Sequence, residues 1–184
     1  MHEEVIISGF GGQGALFAGQ LLAYSGMAEG RFVTWMPSYG PEMRGGTAHC
    51  IVIVSDSPIG SPIIRCPSAS IALNRPSFEK YEPLVLPGGI LVVNSSLIPC
   101  TSEREDLTTL RVPANDLAYS LGDVRMANVV LLGALLKARP IVSFDSVRTI
   151  LEEHIPARRR KIIEPNKQAL MTGASYAESQ GITA

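Results

Sequence analysis

The chain alternates continuous apolar runs with stretches in which apolar residues recur every three or four positions. Continuous runs bounded by turn residues are typical of buried parallel strands, and the three- to four-residue spacing is typical of helices. This pattern predicts strands at 5–8, 31–36, 47–54, 69–74, 90–94 and 110–113. It predicts helices at 15–28, 76–81 and 127–138, a helix after Ser143, and a last helix at 159–176 with an interruption at Pro165.

Strands that alternate with helices favour an α/β fold with a mostly parallel, Rossmann-like sheet in a single three-layer domain. The 184 residues suit one domain, 1–184, and we expect its tail, about 178–184, to fray. Ser143 is predicted to cap the helix that follows it, with Ser146 at the third helical position.

The amino-acid composition argues against nucleic acids and membranes as binding partners of the chain. The chain has 16 basic and 17 acidic residues, a net charge of −1, whereas nucleic-acid binding needs an excess of positive charge. Its basic cluster, 158–161, is interpreted as a solvated face, with an acidic partner or ligand as the alternative. No signal peptide and no apolar run of ~20 residues is present, so we expect a cytoplasmic protein without membrane contact.

The three cysteines, Cys50, Cys66 and Cys100, form no CxxC pair. This spacing excludes a zinc or iron–sulfur motif within the chain, and reduced thiols are the simplest interpretation. No metal site is predicted.

A glycine turn joins the first predicted strand to the first predicted helix. Its candidate binding residues are Gly9, Gly11, Gly12, Gln13 and Gly14, which contain the G-x-G-x-x-G pattern. Such a turn lets backbone amides approach an anion at a helix start, although the same glycines also permit close helix–sheet packing. The second strand ends without the acidic residue that a dinucleotide site needs. NAD or FAD binding is therefore the least favoured of the three interpretations.

The segment after the second strand, 38–46, places Tyr39, Glu42 and Arg44 between prolines and glycines. It follows the carboxyl end of a strand, where ligands bind in open α/β sheets. Arg44 suits a carboxylate or phosphate, and Tyr39 suits stacking or hydrogen bonding. The alternative is an internal Glu42–Arg44 pair that holds the segment against another subunit.

Further polar residues stand at strand ends or within apolar elements. Asn94 and Ser95 follow a buried strand at the same edge of the sheet and are interpreted as ligand contacts, with turn formation as the alternative. His49, inside a strand, is interpreted as a core or interface histidine rather than a catalyst. Asn128 opens an apolar helix and is predicted to hydrogen-bond a loop.

Several motifs resemble one family along residues 5–176. They are Gly9–Gly14, Tyr39–Gly46, Asn74–Ser77, Pro87–Gly89 with Asn94–Ser96, and Ala127–Asn128 with Gly133–Leu135. In this order they resemble the gamma subunit of 2-oxoacid:ferredoxin oxidoreductases, the pyruvate/ketoisovalerate type, with the greatest similarity to the 2-oxoglutarate enzymes.

The resemblance implies a multi-subunit enzyme that oxidatively decarboxylates a 2-oxoacid to an acyl-CoA. Such a complex uses thiamine diphosphate, magnesium, coenzyme A and iron–sulfur clusters. It implies alpha and beta partners, and in some enzymes a ferredoxin-like delta subunit, with ferredoxin as the acceptor. This chain alone is expected to bind no cofactor and to supply no catalytic residue, but to support assembly and coenzyme A binding.

Two other functions stay open at this stage. A stand-alone nucleotide-binding, anion-binding or redox-sensing module is supported by the glycine turn, and an independent small dehydrogenase is the third possibility. An isolated gamma-type chain is also expected to self-associate through its uncovered partner surface.

Overall fold

The computed structural model describes residues 1–39 and 46–182. In this part of the chain there are six strands and six α-helices. In chain order they are β1 (His2–Phe10), α1 (Ala15–Ala28), β2 (Phe32–Tyr39), β3 (Thr47–Ser55), β4 (Ala69–Ala72), α2 (Arg75–Tyr81), β5 (Ile90–Asn94), β6 (Thr108–Val112), α3 (Ala114–Ser120), α4 (Ala127–Ala138), α5 (Phe144–His154) and α6 (Ile163–Ser179). Short 3-10 helices cover Glu82–Leu84, Val124–Met126 and Ala157–Ile162.

The six strands form one sheet in the order β2-β3-β1-β4-β5-β6. The pairs β1–β4, β4–β5 and β5–β6 are parallel, whereas β3 runs antiparallel to both of its neighbours. Five strands therefore point the same way, and only β3 among the described strands is reversed. The predicted α/β fold with a mostly parallel sheet is confirmed.

The two faces of the sheet are covered unequally. Alternate residues of β1, such as Val5 and Ile7, join the larger core with apolar residues of α1, α4, α5 and α6. Leu91 and Val93 of β5 point to the other face, where they pack with Phe78 of α2 in a smaller core. Helices on both faces make the three layers that the element order predicted.

Helices α4 and α6 approach closely because glycine stands on each at the crossing. A side chain at Gly133 would run into the backbone of Leu170, and one at Gly173 would run into the backbone of Val130. Burial is continuous along α4, which explains why its sequence is apolar on every side.

Local differences from the sequence predictions have physical causes. Helix α3 was not predicted. The predicted interruption of the last helix at Pro165 is wrong, because Pro165 lies in the first turn of α6, where no backbone N–H is needed. The predicted cap is confirmed: the Ser143 hydroxyl accepts a hydrogen bond from the Ser146 amide at 3.1 Å.

Candidate functional site

The glycine turn lies at the edge of the sheet where the parallel strands end. Gly12 and Gly14 have φ angles of 100° and 81°, which residues with a side chain rarely adopt. A Cβ at Gly12 would meet no described atom within 4 Å, and Gly12 is exposed. Gly14 is the N-cap residue of α1, no described side chain caps this helix, and its first turn contains no acidic residue. The turn therefore presents an uncapped helix start to a ligand.

Gln13 holds the turn in shape through its side-chain amide. Its Oε1 accepts hydrogen bonds from the Phe10 amide at 2.6 Å and from Asn74 Nδ2 at 3.0 Å. Its Nε2 donates to the Leu73 carbonyl at 3.4 Å. These bonds join the ends of β1 and β4, and they leave the Gln13 oxygen engaged inside the protein.

Asn94 and Ser95 lie at the same edge, at the end of β5. Asn94 is 1% exposed, and its Nδ2 donates to the Leu73 carbonyl at 3.3 Å and to Asn115 Oδ1 at 2.9 Å. Its Oδ1 has no hydrogen-bond partner among the described residues. The half-buried Ser95 donates its amide to the Val112 carbonyl at 2.8 Å. Asn94 thus belongs to an amide network that connects β4, β5 and α3.

Tyr39, the last residue of β2, lies close to the glycine turn. Strands β1 and β2 run in the same direction on either side of β3, so that Gly9 pairs with Ala48 and Ala48 pairs with Tyr39. Tyr39 is 62% exposed and lines a pocket of about 460 Å³ with the turn and the start of α1. We call it the Tyr39 pocket, and its lining is Phe10, Gly11, Gly12, Gly14, Ala15, Leu16, Phe17, Gln20, Tyr39 and Ala48.

The segment that follows Tyr39 is tied to the turn at its far end. The Gly11 amide donates to the Gly46 carbonyl at 2.8 Å. The predicted binding residues Glu42 and Arg44 lie outside the described residues. The turn and both ends of the 39–46 segment nevertheless share one edge of the sheet, as the sequence predicted.

His49 lies on the other face of the sheet from the Tyr39 pocket. Its ring is 5.6 Å from the ring of Tyr81 and it is half-buried. Burial lowers the pKa of His49, and the nearby Lys80 cation lowers it further. A half-buried imidazole against an aromatic ring agrees with the interpretation of His49 as a packed residue.

A second cavity, which sequence reasoning missed, opens beside Gly14. We call it the α3–α6 groove; its volume is about 650 Å³, and it lies between the start of α1, the turn after α3 and the start of α6. Its lining is Gly14, Phe17, Leu121, Gly122, Asp123, Arg125, Met126, Asn128, Arg159, Ile162, Pro165 and Asn166. The basic cluster at 158–161 was the available signal, since Arg159 is part of it.

Asn128 joins this groove to the glycine turn. Its Nδ2 donates to the Gly14 carbonyl at 2.9 Å, which confirms the predicted hydrogen bond from this side chain to a loop. Gly14 must lack a side chain here, because a Cβ would lie within 2.8 Å of Asn128 Cγ.

The described residues hold neither a candidate metal cluster nor a candidate membrane helix. Residues 1–39 and 46–182 contain no group of three or more His, Cys, Asp or Glu side chains placed to hold a metal ion. No helix in that part of the chain combines the length and apolar character of a membrane span.

The sheet and its edge define a Rossmann-like α/β domain with a glycine turn at the ligand-binding edge. Comparison of the sequence with models of known protein families identifies the family within this fold class. The chain belongs to the pyruvate ferredoxin/flavodoxin oxidoreductase family, whose model matches residues 4–176. The resemblance predicted from the motifs is thereby confirmed.

Individual relatives agree with the family. The chain is 38% identical to ketoisovalerate oxidoreductase subunit VorA of Methanothermobacter thermautotrophicus over 95% of its own length. It spans only 36% of VorA, about a third of that relative's length. It is 32% identical to 2-oxoglutarate synthase subunit KorC of Methanocaldococcus jannaschii, with 85% of each chain covered.

Solved structures also share the fold. The gamma subunit of the keto/oxoacid ferredoxin oxidoreductase of Geobacter sulfurreducens superimposes with a TM-score of 0.82 and 29% identity, covering 96% of this chain and 99% of that one. A 2-oxoglutarate:ferredoxin oxidoreductase of Magnetococcus marinus gives a TM-score of 0.87 at 20% identity, covering 97% of this chain and 31% of that one. At that identity the second likeness concerns the fold alone.

Proposed function

We propose that this chain is the gamma subunit of a 2-oxoacid:ferredoxin oxidoreductase that acts in the cytoplasm, and that its Tyr39 pocket binds part of coenzyme A. Alpha and beta subunits, with a delta subunit in some enzymes, supply thiamine diphosphate, magnesium and the iron–sulfur clusters, and ferredoxin accepts the electrons. The relatives named as oxidoreductase subunits support the first part. The single observation that carries the second is the meeting of Tyr39 and the glycine turn in one pocket.

The pocket suits the chemistry of coenzyme A, a long molecule with phosphates at one end. The exposed backbone at Gly12 and the uncapped start of α1 favour an anion, because free amides and the helix dipole both attract negative charge. Leu16 and Phe17 add apolar surface for the uncharged part of the ligand. Arg44, as predicted from the sequence, would pair with a phosphate.

Titration of the assembled complex with coenzyme A tests the binding site. Tyr39→Ala is expected to weaken coenzyme A binding by about tenfold, because loss of an aromatic contact costs roughly 1 kcal/mol beyond buried area and 1.4 kcal/mol is a factor of ten. Arg44→Ala should have a similar or larger effect. Tyr119→Ala, on the 78% exposed tyrosine of α3, is the matched control. Unchanged affinity in both the Tyr39 and Arg44 variants would refute the coenzyme A site.

Purification from the native cell tests the assembly. A tagged chain is expected to bring down alpha and beta subunits in equal amounts, whereas a stand-alone nucleotide-binding module would elute by itself. The two tests are separate, since a subunit that binds no coenzyme A would still co-purify with its partners.

A further inference from the structure

The α3–α6 groove has the size and the mixed lining of a small-molecule site. Its volume of about 650 Å³ lies within the ~300–1,000 Å³ typical of ligand pockets. Apolar side chains form its wall: Phe17, Leu121, Met126, Ile162 and Pro165. Such a wall accepts a flat, weakly polar ring, while the polar residues fix the orientation.

The side-chain oxygen of Asn128 is a hydrogen-bond acceptor to which no described group donates. The residue is 3% exposed and lines the groove, and its Nδ2 is committed to the Gly14 carbonyl. Its Oδ1 is buried without a hydrogen-bond partner among the described residues. A buried acceptor in this state costs free energy, so a ligand with an N–H or O–H group would bind there favourably.

The charges at the rim favour an anion. Arg125 Nη2 is 2.6 Å from Asp123 Oδ2, which neutralises the carboxylate at this rim. Arg159 also lines the groove, is exposed, and forms no ion pair with a described carboxylate. Its guanidinium is therefore available to a phosphate, which arginine binds in bidentate geometry.

We propose that the α3–α6 groove, which adjoins the Tyr39 pocket at Gly14 and Phe17, binds a nucleoside phosphate. The base lies against the apolar wall, an amino or hydroxyl group of the nucleoside donates to Asn128 Oδ1, and the phosphate pairs with Arg159. A nucleoside phosphate has a flat ring for the apolar wall, a hydrogen-bond donor for Asn128 Oδ1 and a negative charge for Arg159.

Isothermal titration of the full chain with ADP, adenosine and inorganic pyrophosphate tests the proposal. ADP is expected to bind more tightly than either fragment, because only ADP meets both the wall and Arg159. Arg159→Ala should weaken ADP binding by at least about tenfold, because it removes a charge-assisted hydrogen bond to the phosphate. Arg158→Ala, which removes the same charge one residue away and outside the groove lining, should change it less than about twofold.

Four results would overturn the proposal. They are no binding of ADP, pyrophosphate binding as tight as ADP, equal losses in the Arg158 and Arg159 variants, and a loss of ADP affinity in Tyr39→Ala but not in Arg159→Ala. The last result would place ADP in the Tyr39 pocket. Arg159 is exposed on a short 3-10 helix, so its replacement should leave folding intact, which circular dichroism checks.

Discussion

The Gly11 amide donates a hydrogen bond to the Gly46 carbonyl at 2.8 Å, across the end of the β1–β3 pair. This bond joins the glycine turn to the end of the 39–46 segment. Tyr39 approaches the same turn from β2, so two segments that are separate in sequence border one pocket.

The first prediction concerns the helix start at Gly14. Gly14→Ala is expected to lower the free energy of unfolding by roughly 2 kcal/mol or more, because alanine disfavours a φ of 81° and its Cβ would press against the Asn128 side chain. Urea unfolding of the isolated chain measures the change.

Gly30→Ala is the matched control for Gly14→Ala. Gly30 follows the other end of α1 with a φ of 74°, but a Cβ there would meet no described atom within 4 Å. It should lose only the cost of the backbone conformation, roughly 1 kcal/mol. Equal losses in the two variants would contradict the contact with Asn128.

The second prediction concerns the crossing of α4 and α6. Gly133→Ala is expected to destabilise the chain by about 3 kcal/mol or to prevent folding, because the methyl group would collide with the backbone of Leu170, which cannot rotate away. Gly173→Ala should behave alike, since it meets the backbone of Val130. Gly60→Ala, where a Cβ would meet no described atom within 4 Å, is the control, and thermal unfolding distinguishes the three variants. Near-normal stability of Gly133→Ala would mean that the helices separate readily.

Apolar runs were sufficient to predict the strands and most helices, but not the direction of β3. Its sequence, Thr47–Ser55, resembles that of the parallel strands because it too is buried on both faces. The usable signal was the short connection from β2, since a parallel crossover needs a dozen or more residues. Helix α3 was not predicted because its buried residues, Ala114 and Ala118, are small. They produce only a weak periodic pattern of hydrophobic residues in the sequence.

The candidate site was predictable only in part. Glycine spacing and strand ends located the turn, Tyr39 and Asn94 at one edge. The sequence could not show that the side-chain amides of Gln13 and Asn94 form hydrogen bonds inside the protein. Their partners, Asn74 and Asn115, are distant in the chain. The α3–α6 groove was also beyond reach, since it combines three segments that approach only after folding.

The third prediction concerns the reactivity of the thiols. Burial raises the pKa of Cys50 to about 12, so almost no thiolate forms near pH 8 and the group is closed to solvent. Cys66 is exposed. Iodoacetamide at pH 8 should alkylate Cys66 first and leave Cys50 unmodified until urea unfolds the chain, as peptide mass spectrometry can follow. In Cys66→Ser the fast phase should disappear. Rapid labelling of Cys50 in the native protein would contradict its burial.

The fourth prediction concerns the contact between α1 and α5. Glu29 Oε1 accepts hydrogen bonds from the Ser143 amide at 2.7 Å and from the Ser146 hydroxyl at 2.8 Å. Burial alone would raise the pKa of Glu29, but these bonds, with help from Arg31, lower it overall below its usual 4.5. Because the folded pKa is the lower one, the charge stabilises the fold above about pH 4.5 and ceases to do so as the pH falls through the folded value.

Glu29→Gln tests this pH dependence. We expect it to reduce stability by about 1 kcal/mol at pH 7, since the amide accepts weaker hydrogen bonds, and to differ less from wild type below pH 4. Melting temperatures from pH 3 to 8 give the comparison. Glu153→Gln, on an exposed residue of α5, controls for the loss of one negative charge. A difference that grows toward low pH would have the wrong sign and refute the assignment.

The fifth prediction distinguishes a structural role of Gln13 from a ligand-binding role. The sequence analysis predicted that Gln13 contacts a ligand. Its Oε1 already accepts from Phe10 and Asn74, so Gln13→Ala should leave both donors unpaired and cost roughly 2 kcal/mol of unfolding free energy in the isolated chain. Gln168→Ala, on the exposed side of α6, should change stability by less than about 0.5 kcal/mol. If Gln13→Ala instead keeps full stability and weakens coenzyme A binding to the complex, its amide serves the ligand, and the internal hydrogen bonds contribute little.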